Sequence, residues 1–448
     1  MAGGTFKNSI AKVRPGTYVN VINGRPKTSV VTQRGVAIIP FIGYDYGPRG
    51  TFLKVSNVSP DKYQAEFGRS IYDDNDFMIM LRLIMMNATT CYVYIVDGGT
   101  QASGSATMGE ATLSMKAKYK GSFGNNLKVA CVANPVDGFD VSVYLNGSEV
   151  EKFEKVVTIA DITGKSSYVD FSGTGNLAAF ASASLTGGTD TNEEGTSKKN
   201  VTEFLDKAEK IRFNVMAFPV TDESLQTALL TKIRYIRENI GWKCQAVVPN
   251  FAADYEGVIN LTNSFEYENK ELTTAQATAW LAGARAGADY TTSLTYKTVT
   301  GATKVVGEKT NEEAIEAIQK GETFFTSTNS DGVMLEYDTN SLVTFSDDTP
   351  PNSNKNRPLT VYDTWCNDCL STFVPGRYDN NSDGYTVMEG LGKAMLKQYQ
   401  EDGAITNVDL DNDFKVDTEK SVDDSVYIVA GLQAVDSADK YYITTIAR

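Results

Sequence analysis

Two grains of hydrophobic patterning alternate along the chain. Val36-Ala-Ile-Ile39 and Cys91-Tyr-Val-Tyr-Ile-Val96 are continuous apolar runs, as expected of strands buried on both faces, and the segment 74–86 between them reads as a helix. They predict a β-α-β unit. From about Asp97 to Gly188 the pattern changes to short alternating segments at 127–132, 141–145, 150–157 and 168–171, separated by Gly, Asn and Asp. A period of two predicts an all-β module. Its strongest local signal is Val141-Ser-Val-Tyr-Leu-Asn146-Gly147-Ser-Glu-Val150, where Asn-Gly supplies the two positive-φ residues of a type I′ hairpin.

Helical periodicity then returns. A helix at 201–210, a strand at 213–218, a helix at 222–239 followed by Ile240, with Leu225, Leu229, Ile233 and Ile236 on its apolar face, and a strand at 244–248 predict two further β-α-β steps. The Ala-rich stretch 273–288 predicts a helix whose small residues permit close packing, and polar 347–354 marks a boundary. The remainder predicts a strand at 359–362, a helix at 364–373, an Asp- and Asn-rich loop, a helix at 386–400, and strands at 426–429 and 441–446. On the helix at 386–400, Met388, Leu391, Met395 and Tyr399 form the apolar stripe. Gly16-Thr-Tyr-Val-Asn-Val-Ile22 is a β-prone stretch after a polar, basic leader and reads as an arm.

These elements predict an α/β (α+β) multidomain fold, with α/β core domains, an inserted all-β (β-sandwich-like) domain, and extended N- and C-terminal strand arms. The expected divisions are an N-terminal arm at 1–22, the first part of the α/β core at 23–97, the inserted β domain at 98–190, an α/β domain at 200–348, a C-terminal domain at 349–438 and an arm strand at 439–448.

Charge adds a polarity to this arrangement. The 448 residues hold 42 Lys and Arg against 56 Asp and Glu, a formal charge of -14, which argues against generic nucleic-acid binding. The distribution is uneven. Residues 1–60 carry Lys7, Lys12, Arg14, Arg25, Lys27, Arg34, Arg49 and Lys54 against Asp45 alone, whereas 409–448 carry nine acids against Lys415, Lys420, Lys440 and Arg448. One end is electrostatically suited to meet the other on another chain.

Candidate chemistry is sparse. The chain has no histidine, which excludes Ser-His-Asp and Cys-His relays and His-ligated zinc or haem. The five cysteines are odd in number and scattered, and Cys91, Cys131 and Cys244 lie in apolar strand-like runs, so they read as reduced core residues. Trp365-Cys366-Asn-Asp-Cys369 resembles a thioredoxin-type dithiol at a strand-to-helix junction, but no proline follows Pro375 to face it. Asp379-Asn-Asn381-Ser-Asp383-Gly384 matches the opening of a calcium loop, yet position 12 is Gly390 and the acid, Glu389, falls at 11. Gly164-Lys165-Ser166 lacks the leading glycine of a phosphate loop, since Ile159 stands there. No cofactor or metal is implied. The N-terminus has no apolar core of a signal peptide, and the run 77–86 is broken by Arg82, so the chain is expected to be made and kept in a cytoplasm without direct membrane insertion.

Seven segments in order carry a family resemblance. They are Arg14-Pro-Gly-Thr-Tyr-Val-Asn20, Ala117-Lys-Tyr-Lys-Gly-Ser-Phe-Gly-Asn-Asn-Leu127, Leu185-Thr-Gly-Gly-Thr-Asp190, Asn356-Arg-Pro-Leu, Asn381-Ser-Asp-Gly384, Gly403-Ala-Ile-Thr-Asn407 and Ala438-Asp-Lys-Tyr-Tyr-Ile-Thr444. Together they resemble the contractile tail sheath proteins of bacteriophages and phage-tail-like bacteriocins, particularly those of Gram-positive phages and defective prophages, over nearly the whole chain. The Trp365–Cys369 cluster departs from that pattern. The resemblance implies a non-enzymatic structural subunit of a virion or phage-tail-like particle, assembled in the host bacterial cytoplasm. It would form a helical homo-polymer around an inner tail tube protein and meet baseplate and tail terminator proteins. It implies intersubunit arm strands at Gly16, Thr17, Tyr18, Val19, Asn20 and Val21 and at Tyr441, Tyr442, Ile443, Thr444, Thr445 and Ile446, and a tube-facing C-terminal domain. Lys393 and Lys397 then either belong to a self-paired ladder with Glu389 and Glu401 or contact the tube. A self-assembling shell or fibre protein and a carboxylate-dependent tail glycosidase are the alternatives.

Overall fold

The two continuous apolar runs become neighbouring parallel strands, Val36–Phe41 and Thr90–Ile95, with Val36 opposite Thr90 and Phe41 opposite Ile95. The computed structural model, which describes residues 2–4, 16–18, 34–56, 63–109, 111–190, 198–327, 332–347 and 349–447, sets them in a seven-stranded sheet. Its order is Glu322–Thr323, Val258–Leu261, Gln245–Pro249, Val215–Ala217, Val36–Phe41, Thr90–Ile95 and Phe52–Val55, and only the last strand runs antiparallel to its neighbour. Residues 36–95 and 215–323 therefore share one sheet. Ala37, Ile39 and Phe41 face the helices Asp76–Met85 and Thr274–Gly287, while Ile38 faces Lys198–Ala208 and Glu223–Tyr235. Apolar side chains on both faces explain the absence of alternation in these runs.

Local signals fix the helix starts. The Asn75 side chain accepts from Phe77 and Met78 N–H groups at 3.1 and 3.4 Å, and Thr273 with Gln276 forms a capping box. The small residues of Thr274–Gly287 do bring two backbones together. A Cβ on Gly283 would lie 2.3 Å from the Ile84 carbonyl oxygen, and one on Gly287 2.0 Å from that of Asn87. Because the obstacle is main chain, no rotamer change relieves it. Gly283→Val is expected to cost about 3 kcal/mol, at the upper end of overpacking penalties, and to lower the urea midpoint of unfolding. An unchanged midpoint would contradict this packing.

Between the two contributions to the sheet, the chain builds a β-sandwich. One sheet is ordered Ser148–Val156, Phe139–Leu145, Leu127–Ala133, Phe180–Ser184; the other is Val169–Ser172, Ala111–Lys120, Gln101–Met108. Leu145 pairs with Ser148 across Asn146 (φ 51°) and Gly147 (φ 84°), the hairpin expected from Asn-Gly. Gln101–Met108 and Phe180–Ser184 carry mostly Ala, Ser and Gly, so their strands leave little alternation to read; Ala102, Ala106 and Met108 point inward.

The C-terminal region departs from expectation: the strand expected at 441–446 does not form within the subunit, a strand Phe414–Asp417 was not anticipated, and one helix replaces two elements. The predicted strand at 359–362 and helix at 364–373 are a single helix, Asn356–Thr372. Thr360 and Val361 favour strand locally, but burial of this element on several sides overrides that preference. The Trp365–Cys369 cluster therefore sits within a helix, not at a strand-to-helix junction. Ser382–Glu401 forms the next helix, and Phe414–Asp417 pairs antiparallel with Tyr427–Ala430. Val361, Trp365, Met395, Leu396, Tyr399 and Phe414 make the core of this region. Among the described residues no helix is long and apolar enough to cross a membrane.

Candidate assembly interface

A polar stripe positions the C-terminal region. Asn356, Thr360, Asp363 and Asn367 recur at four-, three- and four-residue intervals, which places them on one helix face, and all four are buried. Each meets the α/β core. Asn356 donates to Asp338 at 2.9 Å and accepts from Gln245 at 2.8 Å; Thr360 accepts from Arg285 at 3.1 Å; Asn367 accepts from Lys243 N–H at 2.8 Å and donates to Lys243 C=O at 3.0 Å. Asp363 receives both terminal nitrogens of Arg237, at 2.7 and 2.9 Å. Arg237 lies in the single π turn Ile236–Ile240 that follows Glu223–Tyr235. Burial disfavours its charged form, but the Asp363 carboxylate more than offsets this and holds the guanidinium's pKa above its ordinary value. Hydrophobic periodicity could not reveal this stripe, because its members are polar; the spacing of amide and carboxylate residues was the available signal.

Against this fixed helix packs Ser382–Glu401, capped by Asn381, whose side chain accepts from Gly384 N–H at 2.9 Å. Its buried face holds Met388, Gly392, Met395, Leu396 and Tyr399, while Leu391 is only half-buried. Gly392 takes the inward position because the Phe414 ring lies directly over it. The anticipated charge ladder forms only at its end, Lys397 to Glu401 at 3.9 Å. Glu389 instead turns to Lys415 at 3.7 Å and accepts from Val416 N–H at 3.1 Å. Lys393 makes no ion pair among the described residues.

Glu389 thereby covers a main-chain donor on the outer side of Phe414–Asp417. Its partner, Tyr427–Ala430, has no further strand beside it among the described residues, and Tyr427 and Val429 are 53% and 65% exposed. An uncovered edge bearing large apolar side chains is a template for another strand. The chain also carries a matching free segment. Residues 440–447 adopt no strand here, and Tyr441, Tyr442, Ile443 and Ile446 are 77%, 90%, 84% and 82% exposed. At the other terminus Gly16, Thr17 and Tyr18 pair in parallel with Ala2, Gly3 and Gly4, whereas Val19, Asn20 and Val21 lie outside the described residues.

The other motifs resolve into local structure. Residues 382–384 of the calcium-like segment are the first turn of a helix, not a ligand loop. Ser166 of the phosphate-loop-like segment donates to Glu151. No group of three or more metal-binding side chains gathers among the described residues. Burial raises the pKa of Cys366, and that of Cys369 to about 12. Thiolate is the reactive form, so Cys369 is expected to alkylate about a thousandfold more slowly than an ordinary thiol at pH 8, as read by mass spectrometry of iodoacetamide adducts. Comparable rates would restore a reactive dithiol.

Comparison with known proteins bears on all three parts of the chain. Residues 97–206 match the phage tail sheath protein beta-sandwich domain, 194–341 the phage tail sheath protein central domain and 348–448 the phage tail sheath C-terminal domain. The phage-like element PBSX protein XkdK of Bacillus subtilis (strain 168) is 33% identical across an alignment 474 positions long, spanning 99% of each chain. The crystal structure of the sheath tail protein from Desulfitobacterium hafniense is similar with a TM-score of 0.80 and 32% identity, over 95% of this chain and 99% of that one. The anti-feeding prophage helical sheath in its contracted state shares the fold at a TM-score of 0.58 and 13% identity, over 98% of this chain and 99% of that one.

Proposed function

Because the chain belongs to the phage tail sheath protein family, we propose that it polymerises helically around an inner tail tube through exchanged terminal strands, and contracts to drive the tube through a target envelope. Its role is structural, and its place is a phage tail or related particle. The observation that carries the assembly reading is the coexistence, in one chain, of an open apolar strand edge at Tyr427–Ala430 and an exposed apolar segment at 440–447 without a strand partner. Strand addition satisfies both. Main-chain hydrogen bonds would tie copies together, and pairing of two different surfaces generates an open helical array instead of a closed dimer.

Charge supports the same direction of association. The basic leader, represented by Lys7, Lys12 and Arg14, complements the acidic turn that includes Asp417, Glu419, Asp423 and Asp424 on a neighbouring copy. Lys393 and Lys397, on the outward face of the Ser382–Glu401 helix, suit an acidic tube surface. Baseplate and tail terminator proteins would meet the ends of the polymer. Contraction draws on energy stored at assembly: the extended lattice is a kinetically trapped state, and the contracted one gains contact between subunits.

Negative-stain electron microscopy of the purified protein, with and without its tube partner, tests this reading. Hollow striated cylinders or rings are expected. The double variant Lys393→Glu, Lys397→Glu should still form rings alone but lose decoration of the tube. Persistent monomers with the tube protein present would overturn the sheath role, and closed particles would favour a shell.

A further inference from the structure

The base of the C-terminal tail is held by one nearly buried cation. Lys355, immediately before the Asn356–Thr372 helix, keeps 12% of its side chain exposed; its ammonium lies 2.7 Å from Asp436, 2.5 Å from Asp439 and 5.6 Å from the centre of the Tyr337 ring. Asp439 is equally covered, at 11%. The preceding residues are tied elsewhere. Gly431 N–H donates to Asp413 C=O and Val435 N–H to Ala404 C=O, each at 2.8 Å, and Thr406 N–H donates to Gln433 C=O at 3.0 Å. After Asp439 every described residue is exposed. Lys355 is thus the last side chain to grip the tail before it leaves the body.

Its environment gives that grip strength. Two carboxylates share one ammonium over an aromatic face, and a covered pair is screened by salt far less than an exposed one. Removing the cation would leave two carboxylates facing each other with little solvent around Asp439, so the segment 436–439 would be driven off the surface. The attachment point would then retreat from Asp439 to Val435. Four more residues of free chain amount to roughly 13 Å when extended, between two and three strand spacings of about 4.8 Å.

We propose that Lys355 is a positioning residue for the C-terminal arm: by clasping Asp436 and Asp439 it sets where residues 440–447 depart and so which strand edge of a neighbouring copy they reach. This rests on the sheath reading above. The clasp selects one register among several that a longer tether would permit, which is how an arm of eight exposed residues finds a single edge in a repeating lattice.

Limited trypsin digestion of the full chain tests the clasp without requiring assembly. The bond after Lys440 reports release of the tail, and the bond after Lys420, whose side chain is 69% exposed between the hairpin strands, reports general loosening. For Lys355→Met, cleavage after Lys440 should rise about tenfold or more while cleavage after Lys420 stays unchanged. Lys355→Arg should restore the slow rate. The pair Asp436→Asn, Asp439→Asn removes the same clasp from the tail side and should match Lys355→Met, which guards against a folding defect at the helix start. In electron micrographs both clasp-breaking variants should lose regular cylinders and Lys355→Arg should keep them. Unchanged cleavage after Lys440 in both would overturn the clasp, and faster cleavage with normal cylinders would overturn its positioning role. If the wild-type chain itself forms no cylinders, the sheath reading fails, while the cleavage ratio still decides the clasp.

Discussion

Deleting Lys440–Arg448 is expected to abolish polymerisation while leaving a folded monomer. Of the residues removed, 440–447 make no strand and are exposed in their own chain, so the core and its unfolding midpoint should be unaffected. Their value lies between copies. In an added strand, side chains alternate, so Tyr441 and Ile443 would share one face and Tyr442, Thr444 and Ile446 the other. Burying two large side chains of one face contributes about 3–6 kcal/mol, before the cost of ordering the segment. Losing that corresponds to roughly a two- to four-decade rise in the concentration needed to assemble. Sedimentation velocity across a concentration series, with thermal unfolding alongside, reads both halves of the expectation. Normal cylinders from the truncated chain would remove the arm from the mechanism; a collapsed melting profile would mean that the tail stabilises its own subunit.

Asp363→Ala is expected to produce the other large effect, this time on the subunit itself. The substitution strands Arg237, a buried guanidinium whose remaining partners among the described residues are Glu256 at 3.3 Å, the Cys244 carbonyl at 2.8 Å and the Tyr255 ring, 5.9 Å away at its centre. Removing one member of a buried ion pair costs about 3–5 kcal/mol, because the remaining charge loses its compensation without regaining water. Asp363 also joins the Asn356–Thr372 helix to the π turn of the α/β core. Urea unfolding followed by near-ultraviolet circular dichroism should therefore show a lower midpoint and an earlier loss of the Trp365 environment than of the core. A change below about 1 kcal/mol, the range of an exposed pair, would show that this contact does not couple the two regions.

Much of the architecture was legible along the chain. The runs at 36–39 and 91–96 identified two-face-buried strands, Asn146-Gly147 identified its hairpin, and the small residues of 273–288 announced a close helix contact that Gly283 and Gly287 make. In each case the signal is local: a burial period, a φ requirement or a side-chain volume. The helix Asn356–Thr372 was misjudged because its tertiary role is carried by polar residues, which periodicity of apolar positions does not register. Of the proposed interface, the sequence supplied the β-prone ends, the opposite charges of the termini and the lysines of the last long helix.

What the sequence determined by itself, then, is the order and kind of most elements, the absence of imidazole chemistry and the β-prone, apolar character of the C-terminal end. The tertiary structure alone decided that 36–95 and 215–323 close one sheet around an inserted sandwich. It also decided that Asp363 meets Arg237, that Glu389 covers one edge of the hairpin while Tyr427–Ala430 stays open, and that Lys355 grips the tail at Asp436 and Asp439. A side-chain pattern records how each position is buried over a few residues. It carries no record of which distant segment does the burying, and that pairing is fixed only when the whole chain is packed.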